Sequence, residues 1–257
     1  MEDYVLTTQI LTEFELERKE QHKVRAFVIM QEKLQKNYEY DLMGKQVVDY
    51  VKETLSNYET SIIKVKDDKQ SLVEILAPHI KDEDYIIVLY GDTPLVRSST
   101  IDDALEYATT KGLDYCKLYK GGIFKASAVR SGKIEYLSEA NFLSKEDFFC
   151  VFDNNSISKA RQIMKQRIIE KHIKNNVEFF DISSVYIDST VDIASNVKIY
   201  ANNVVKGQTT IASGCILNEN NVINNCKIEE NCVISSSYLN NTKIKKNSNI
   251  GPFKIKE

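Results

Sequence analysis

The most apolar stretch of the chain, Tyr85-Ile86-Ile87-Val88-Leu89-Tyr90, runs directly into Gly91-Asp92-Thr93-Pro94-Leu95. The first segment reads as a buried strand. In open α/β sheets, ligands bind outside the carboxyl ends of strands. A carboxylate at that point can hold Mg2+ against phosphate oxygens, because a hard cation takes oxygen donors. An aspartate at a strand end serves equally as a turn residue or helix cap, so Asp92 by itself leaves both readings open.

The other reactive residue types offer less. His22, His79 and His172 are far apart, with no Ser/His/Asp arrangement among them, and His172 is expected on the exposed or packing face of a long helix. The five cysteines, Cys116, Cys150, Cys215, Cys226 and Cys232, are odd in number and none are spaced Cys-x-x-Cys, which points to neither a disulfide framework nor a zinc site. A reduced, cytoplasmic protein is expected. A net charge of −3 implies no general attraction to nucleic acid or to membrane phosphate. No apolar run reaches the roughly 18 residues of a membrane span. The acidic start, Met1-Glu2-Asp3-Tyr4, lacks the basic and apolar regions of a secretory signal.

Several elements are needed to position Asp92. Residues Met1 to Lys23 read as an N-terminal helix. Phe27-Val28-Ile29-Met30 reads as a strand, and Val47, Val48, Val51 and Leu55 form one face of a helix. Ser61 to Val65 is a second strand and Ser71 to Leu76 a short helix before Pro78. After the Tyr85–Tyr90 strand, a helix is expected over about 99–110, capped by Ser98, Ser99 or Thr100, with Asp102 and Asp103 in its first turn. Tyr115 to Tyr119 and Lys133 to Leu137 look like further strands, and 156–175 like a long helix. Strands alternating with helices predict an open, mostly parallel sheet with helices on both faces.

The second half follows a different rule. Ile187, Ile193, Ile199, Val205, Ile211, Leu217 and Ile223 recur at every sixth position. Such a period excludes a helix and a flat strand and fits a coil of short parallel strands, three hexads to a turn. Val191, Val197, Thr209 and Cys215 stand four residues after the aliphatic position, with Asn203 and Asn221 in the same slot. The ladder slips by one residue and resumes at Ile228 and Ile234, then at Ile244 and Ile250. Asparagine, dense from Asp181 onward, tolerates the left-handed angles of tight corners. Rungs of this kind must stack to bury a core. The pattern predicts a left-handed β-helix of hexapeptide repeats, with the lysines of 243–246 and 254–256 on its solvent face.

Together these segments resemble a family: the bifunctional enzymes joining N-acetylglucosamine-1-phosphate uridylyltransferase to glucosamine-1-phosphate acetyltransferase. Tyr90-Gly91-Asp92-Thr93-Pro94-Leu95 looks like the family's metal-binding segment. Asp153-Asn154-Asn155 and the helix through Arg161, Arg167 and His172 resemble its second metal segment and linking helix. Met43 to Val48 looks like the entry to its first long helix, Asn176 to Asp188 is similar to the entry into its β-helix, and Ile250-Gly251-Pro252-Phe253 resembles a later rung.

The resemblance implies a nucleotidyltransferase-like α/β domain over 1–178, with a linking helix at about 156–175, followed by a left-handed β-helix over 179–257. It implies Mg2+ held by Asp92 and Asn154, with Tyr90, Gly91, Asp92 and Gly122 lining a substrate site. Uridylyl transfer from UTP to a sugar 1-phosphate, a nucleotide or nucleotide sugar as partner, and a homotrimer assembled through the coil follow as expectations.

The chain departs from the family pattern in three places. Where the family has a Gly-rich phosphate loop after the first strand, Gln31 to Asn37 contains no glycine, although Lys33 and Lys36 supply charge. Asp67 to Ser71 lacks the glycines of the uracil-reading segment. Lys120-Gly121-Gly122-Ile123 is the remnant of a sugar-contacting motif. The family's acetyltransferase site lies beyond the Gly-Pro-Phe rung and is not expected here. A non-catalytic relative that binds nucleotide sugars, or serves as a trimeric scaffold, is the alternative.

Overall fold

The computed structural model describes residues 22–66 and 70–256. The expected N-terminal helix and most of the 67–71 segment lie outside the described residues. The chain forms two compact units. One takes the chain up to Gln35 and Val51–Phe149; the other takes Lys36–Tyr50 and everything from Cys150. The long helix, which the sequence groups with the sheet, is thereby grouped with the coil.

The first unit is built on a mixed sheet of β1 (Val24–Gln31), β2 (Glu59–Val65), β3 (Tyr85–Tyr90), β4 (Tyr115–Lys117), β5 (Gly122–Lys125) and β6 (Leu137–Glu139), in the order β2-β1-β3-β5-β4-β6. β1 runs parallel to both β2 and β3, whereas β5 runs antiparallel to β3 and β4. Ala26 to Met30 and Tyr85 to Leu89 are buried on both faces of the sheet, which is why they read as unbroken apolar runs. On one face Phe27, Ile29, Ile86, Val88 and Phe124 pack with Leu76 and Val129, from the short helices Leu72–Leu76 and Ala126–Ser131.

Two local expectations are corrected. The helix Ser98–Thr110 has Arg97 as its N-cap, with no side-chain cap bond, and its first turn holds no acidic residue. A carboxylate from elsewhere holds the helix start through side chains: buried Asp147 accepts the Thr100 hydroxyl and, at 3.1 Å, Arg97 Nε. The strand expected over 133–137 starts only at Leu137. Residues ahead of it are a loop, because the amides of Glu135 and Tyr136 donate to Asp114 Oδ2 at 3.0 and 3.1 Å.

In the second unit the long helix spans Asn154–Lys174, opened by a capping box between Asp153 and Ser156. It buries Ile157, Ala160, Met164, Ile168 and His172, a spacing of three and four residues. Burial, aided by the neighbouring Lys171 charge, holds the His172 imidazole below its ordinary range, with Asp192 opposing. The folded unit therefore favours the neutral ring. That contribution is intact above the unfolded pKa of about 6.5 and is lost as pH falls through the lower folded value. The urea midpoint of the second unit should drop between pH 7.5 and 5, and His172→Gln should flatten that slope; an unchanged slope would remove His172 as its source.

The coil stacks its rungs in three parallel faces. Tyr186–Ile187 pairs with Val204–Lys206, then Val222–Asn224, then Tyr238–Asn240 and Ile255–Lys256. The other two faces begin at Asp192–Ile193 and at Glu178–Phe179. This is the β-helix that the hexads predict. Its inward aliphatics Ile187, Ile193, Ile199, Val205, Ile211, Leu217 and Ile223 are all buried, and each stabilises by roughly 1.5–3 kcal/mol. Asn196, Asn202, Asn220, Asn225, Asn231, Asn241 and Asn247 all take positive φ. The slips are corners shortened by one residue. One of them makes Leu239, outside the six-residue register, a fully buried rung residue.

The segment expected to lead into a long helix instead forms a small hairpin, Asp41–Leu42 with Lys45–Gln46, followed by the eight-residue helix Val47–Thr54. The hairpin is tied to the coil's first turn. The Ser189 amide donates to Met43 O at 2.9 Å, and the Tyr50 hydroxyl contacts Leu42 O and Ser189 Oγ, each at 2.6 Å.

Candidate active site

β1 lies between β2 and β3, so the strand order reverses beside it, and the crevice outside the carboxyl ends of β1 and β3 is where such sheets take ligands. The Gly91 amide donates to Ile29 O at 3.0 Å, fixing the exit of β3 against β1. The Thr93 hydroxyl donates back to Tyr90 O at 2.7 Å and tightens the turn that carries Asp92.

Asp92 is 3% exposed. Its Oδ2 accepts from Lys120 Nζ at 2.6 Å, while Oδ1 is buried without a hydrogen-bond partner. Neither oxygen takes a backbone amide, so Asp92 sits on a turn without its side chain capping that turn or a helix. The Lys120 ammonium also stands 5.1 Å from the centre of the Tyr90 ring. Burial raises the Tyr90 hydroxyl pKa above its usual value; Lys120 opposes the shift and Asp92 adds to it.

Lys120 arrives through the turn joining β4 to β5. Gly121 has φ +102°, and a Cβ there would stand 2.1 Å from Val88 O. Only glycine lets this turn pass so close over β3. At Gly122 the space of a side chain is filled by the Tyr115 ring, 2.3 Å from an ideal Cβ, and that ring stacks on Phe124 at 4.2 Å.

After β1 the glycine-free segment turns at once into a 3-10 turn, Glu32–Leu34, whose following Gln35 amide bonds back to Glu32 O. Asn154 is the first residue of the long helix in the second unit and is exposed; its carbonyl accepts the Ser158 hydroxyl at 2.8 Å. The neighbouring Asp153 carboxyl lies below its usual range because it accepts the Ser156 amide and hydroxyl. Tyr90, Gly91, Asp92 and Gly122 all fall in the first unit, with Asn154 in the second. Sequence reasoning missed the Lys120 contact, whose one local signal is a lysine ahead of two glycines.

A divalent cation suits Asp92, since a buried carboxylate oxygen without a donor is a hard ligand lacking its positive partner. Among the described residues no group of three His, Cys, Asp or Glu side chains stands close enough to hold a metal, so Asp92 is not part of an all-carboxylate cage.

The chain joins an α/β sheet, with an acidic residue at its strand-order reversal, to a hexapeptide β-helix. No family model matches the chain. The chain is similar to the bifunctional GlmU proteins, as its motifs anticipate. It is 28% identical to the GlmU protein of Clostridioides difficile over 80% of its own length and 59% of that protein. It is 39% identical to that of Lactobacillus johnsonii over 40% of this chain and 22% of the relative. The chain therefore spans less than two thirds of these relatives. A solved molybdopterin-guanine dinucleotide biosynthesis protein A from Archaeoglobus fulgidus aligns with 55% of this chain and 99% of its own at 13% identity and a TM-score of 0.41. Among the described residues no helix is long and apolar enough to cross a membrane.

Proposed function

We propose that the chain is a Mg2+-dependent nucleotidyltransferase that transfers a uridylyl group from UTP to a sugar 1-phosphate. The observation that carries this reading is the partnerless buried oxygen of Asp92 at the carboxyl end of β3. Asp92 would hold the ion, which when bound neutralises charge on phosphate oxygens during in-line attack at the α-phosphorus. The chain's own contribution is positional. Lys120 supplies a positive charge for phosphate at the same point, the Gly91 amide holds the exit of β3 against β1, and burial of Asp92 keeps water from its carboxylate. The coil would assemble three copies around an axis; a monomer in sedimentation at micromolar concentration would remove that part.

The glycine-free turn after β1 favours a second reading, a non-catalytic relative that binds nucleotide sugars or acts as a scaffold. It offers no flexible cradle of amides to phosphate. Thermal shift separates the two. A nucleotide at 100 times its dissociation constant should stabilise by about 2.7 kcal/mol. UTP with Mg2+ should produce that shift, and Asp92→Asn should lose its Mg2+-dependent part while keeping the fold. No shift with UTP or UDP-N-acetylglucosamine, with or without Mg2+, would leave the scaffold reading.

A further inference from the structure

We propose that Lys120 is a resident counter-cation that keeps a divalent ion off Asp92 until the polyphosphate of a nucleotide draws its ammonium away. The inference rests on the reading of Asp92 as a metal ligand. It starts from a mismatch in the site. Asp92 has one oxygen without a partner, yet its other oxygen already carries a full positive charge at 2.6 Å. A divalent ion on either oxygen would stand within a few ångströms of that ammonium, and two cations sharing one buried carboxylate repel strongly. The carboxylate therefore serves one of them at a time.

The two partners differ in freedom. The Asp92 side chain is 4% exposed and fixed on the turn after β3, whereas the Lys120 side chain is 28% exposed. The turn under Lys120 passes close over β3, where a Cβ at Gly121 would meet Val88 O at 2.1 Å. Displacement is thus left to the flexible stem of the lysine. A polyphosphate is the ligand class able to cause it, since its oxygens offer the ammonium a replacement for the carboxylate and bring negative charge to the incoming metal. Metal would then enter with the nucleotide or after it.

The test is Mn2+ titration of the nucleotide-free protein, followed by electron paramagnetic resonance. Lys120→Gln should bind Mn2+ at least about tenfold more tightly than the native chain, a difference of about 1.4 kcal/mol. Lys120→Arg, which keeps the charge, should stay near the native affinity. Asp92→Asn/Lys120→Gln should lose the gained affinity. This double variant, an uncharged pair of similar size, also checks by thermal melting that the unit folds without the ion pair. In the native chain Mg2+ alone should leave the melting temperature unchanged and Mg2+ with UTP should raise it, while Lys120→Gln should respond to Mg2+ alone. Asp92-dependent Mn2+ binding of equal strength in the native chain and Lys120→Gln would overturn the inference and leave the metal site standing. Absence of Asp92-dependent binding in every variant would overturn both.

Discussion

Gly121→Ala is expected to destabilise the first unit by about 4 kcal/mol. Two effects add. At φ +102° an L side chain is strained, which costs about 1–3 kcal/mol. The new Cβ would also stand 2.1 Å from the carbonyl oxygen of Val88, a backbone atom in a strand buried on both faces. A flexible side chain could swing aside, but β3 is paired with β1 on one edge and β5 on the other, so relief requires moving the sheet or the turn. Overpacking of this kind costs about a further 1–3 kcal/mol. Gly112 and Gly132 separate the two effects. Both have positive φ, +61° and +68°, with nothing within 4 Å of a built Cβ. Alanine at either should cost only about 1–2 kcal/mol. Urea denaturation gives the totals, and hydrogen exchange of peptides covering Tyr85–Tyr90 reports on the first unit specifically. A Gly121→Ala loss no larger than that of Gly112→Ala would show that the close approach over β3 is unimportant.

The same turn marks the limit of what the sequence discloses. Asp92 is legible because a strand buried on both faces must be a continuous apolar run, so its carboxyl end can be found by eye. The coil is legible because one inward side chain per hexad imprints a period, and because corners at positive φ select asparagine. Lys120 is not legible. It lies 28 residues from Asp92 and reaches it only because β5 inserts antiparallel beside β3. No pattern of residue types within 117–122 fixes which strand that segment will pair with. Arg97 and Asp147 repeat the lesson 50 residues apart, where a distant carboxylate holds the start of a helix that no local serine caps. Leu239 was hidden for a simpler reason. A corner shortened by one residue preserves the stacking but breaks the count.

Asn221→Val should destabilise the coil by about 3–4 kcal/mol even though the slot accepts valine elsewhere. Asn221 occupies the position that Val191 and Val197 fill on other rungs, and all three are buried. Volume is therefore not the obstacle; the amide is fully engaged. Its Nδ2 donates to Asn218 O at 2.7 Å, Asn203 Oδ1 at 3.0 Å and Ile234 O at 3.1 Å, while its Oδ1 accepts the Ser237 amide at 3.0 Å. The two carbonyls keep other partners, Ile234 O from the Asn218 amide among them. The Ser237 amide would be left buried without an acceptor and Asn203 Oδ1 without a donor, each a penalty of about 1–3 kcal/mol. Cys215→Val, in an equivalent slot with one weak thiol bond to Glu229 O, should cost less than about 1 kcal/mol. The pair Asn203→Val/Asn221→Val removes the stranded Oδ1 along with its donor. The pair also takes both amide donors from Asn218 O, so its loss should depart from the sum of the single losses by about 1 kcal/mol, a coupling expected of side chains in direct contact. Urea midpoints of the four variants decide the matter. Equal losses for Asn221→Val and Cys215→Val would mean that the buried amides merely fill space, and strict additivity of the pair would mean that they do not act as a ladder.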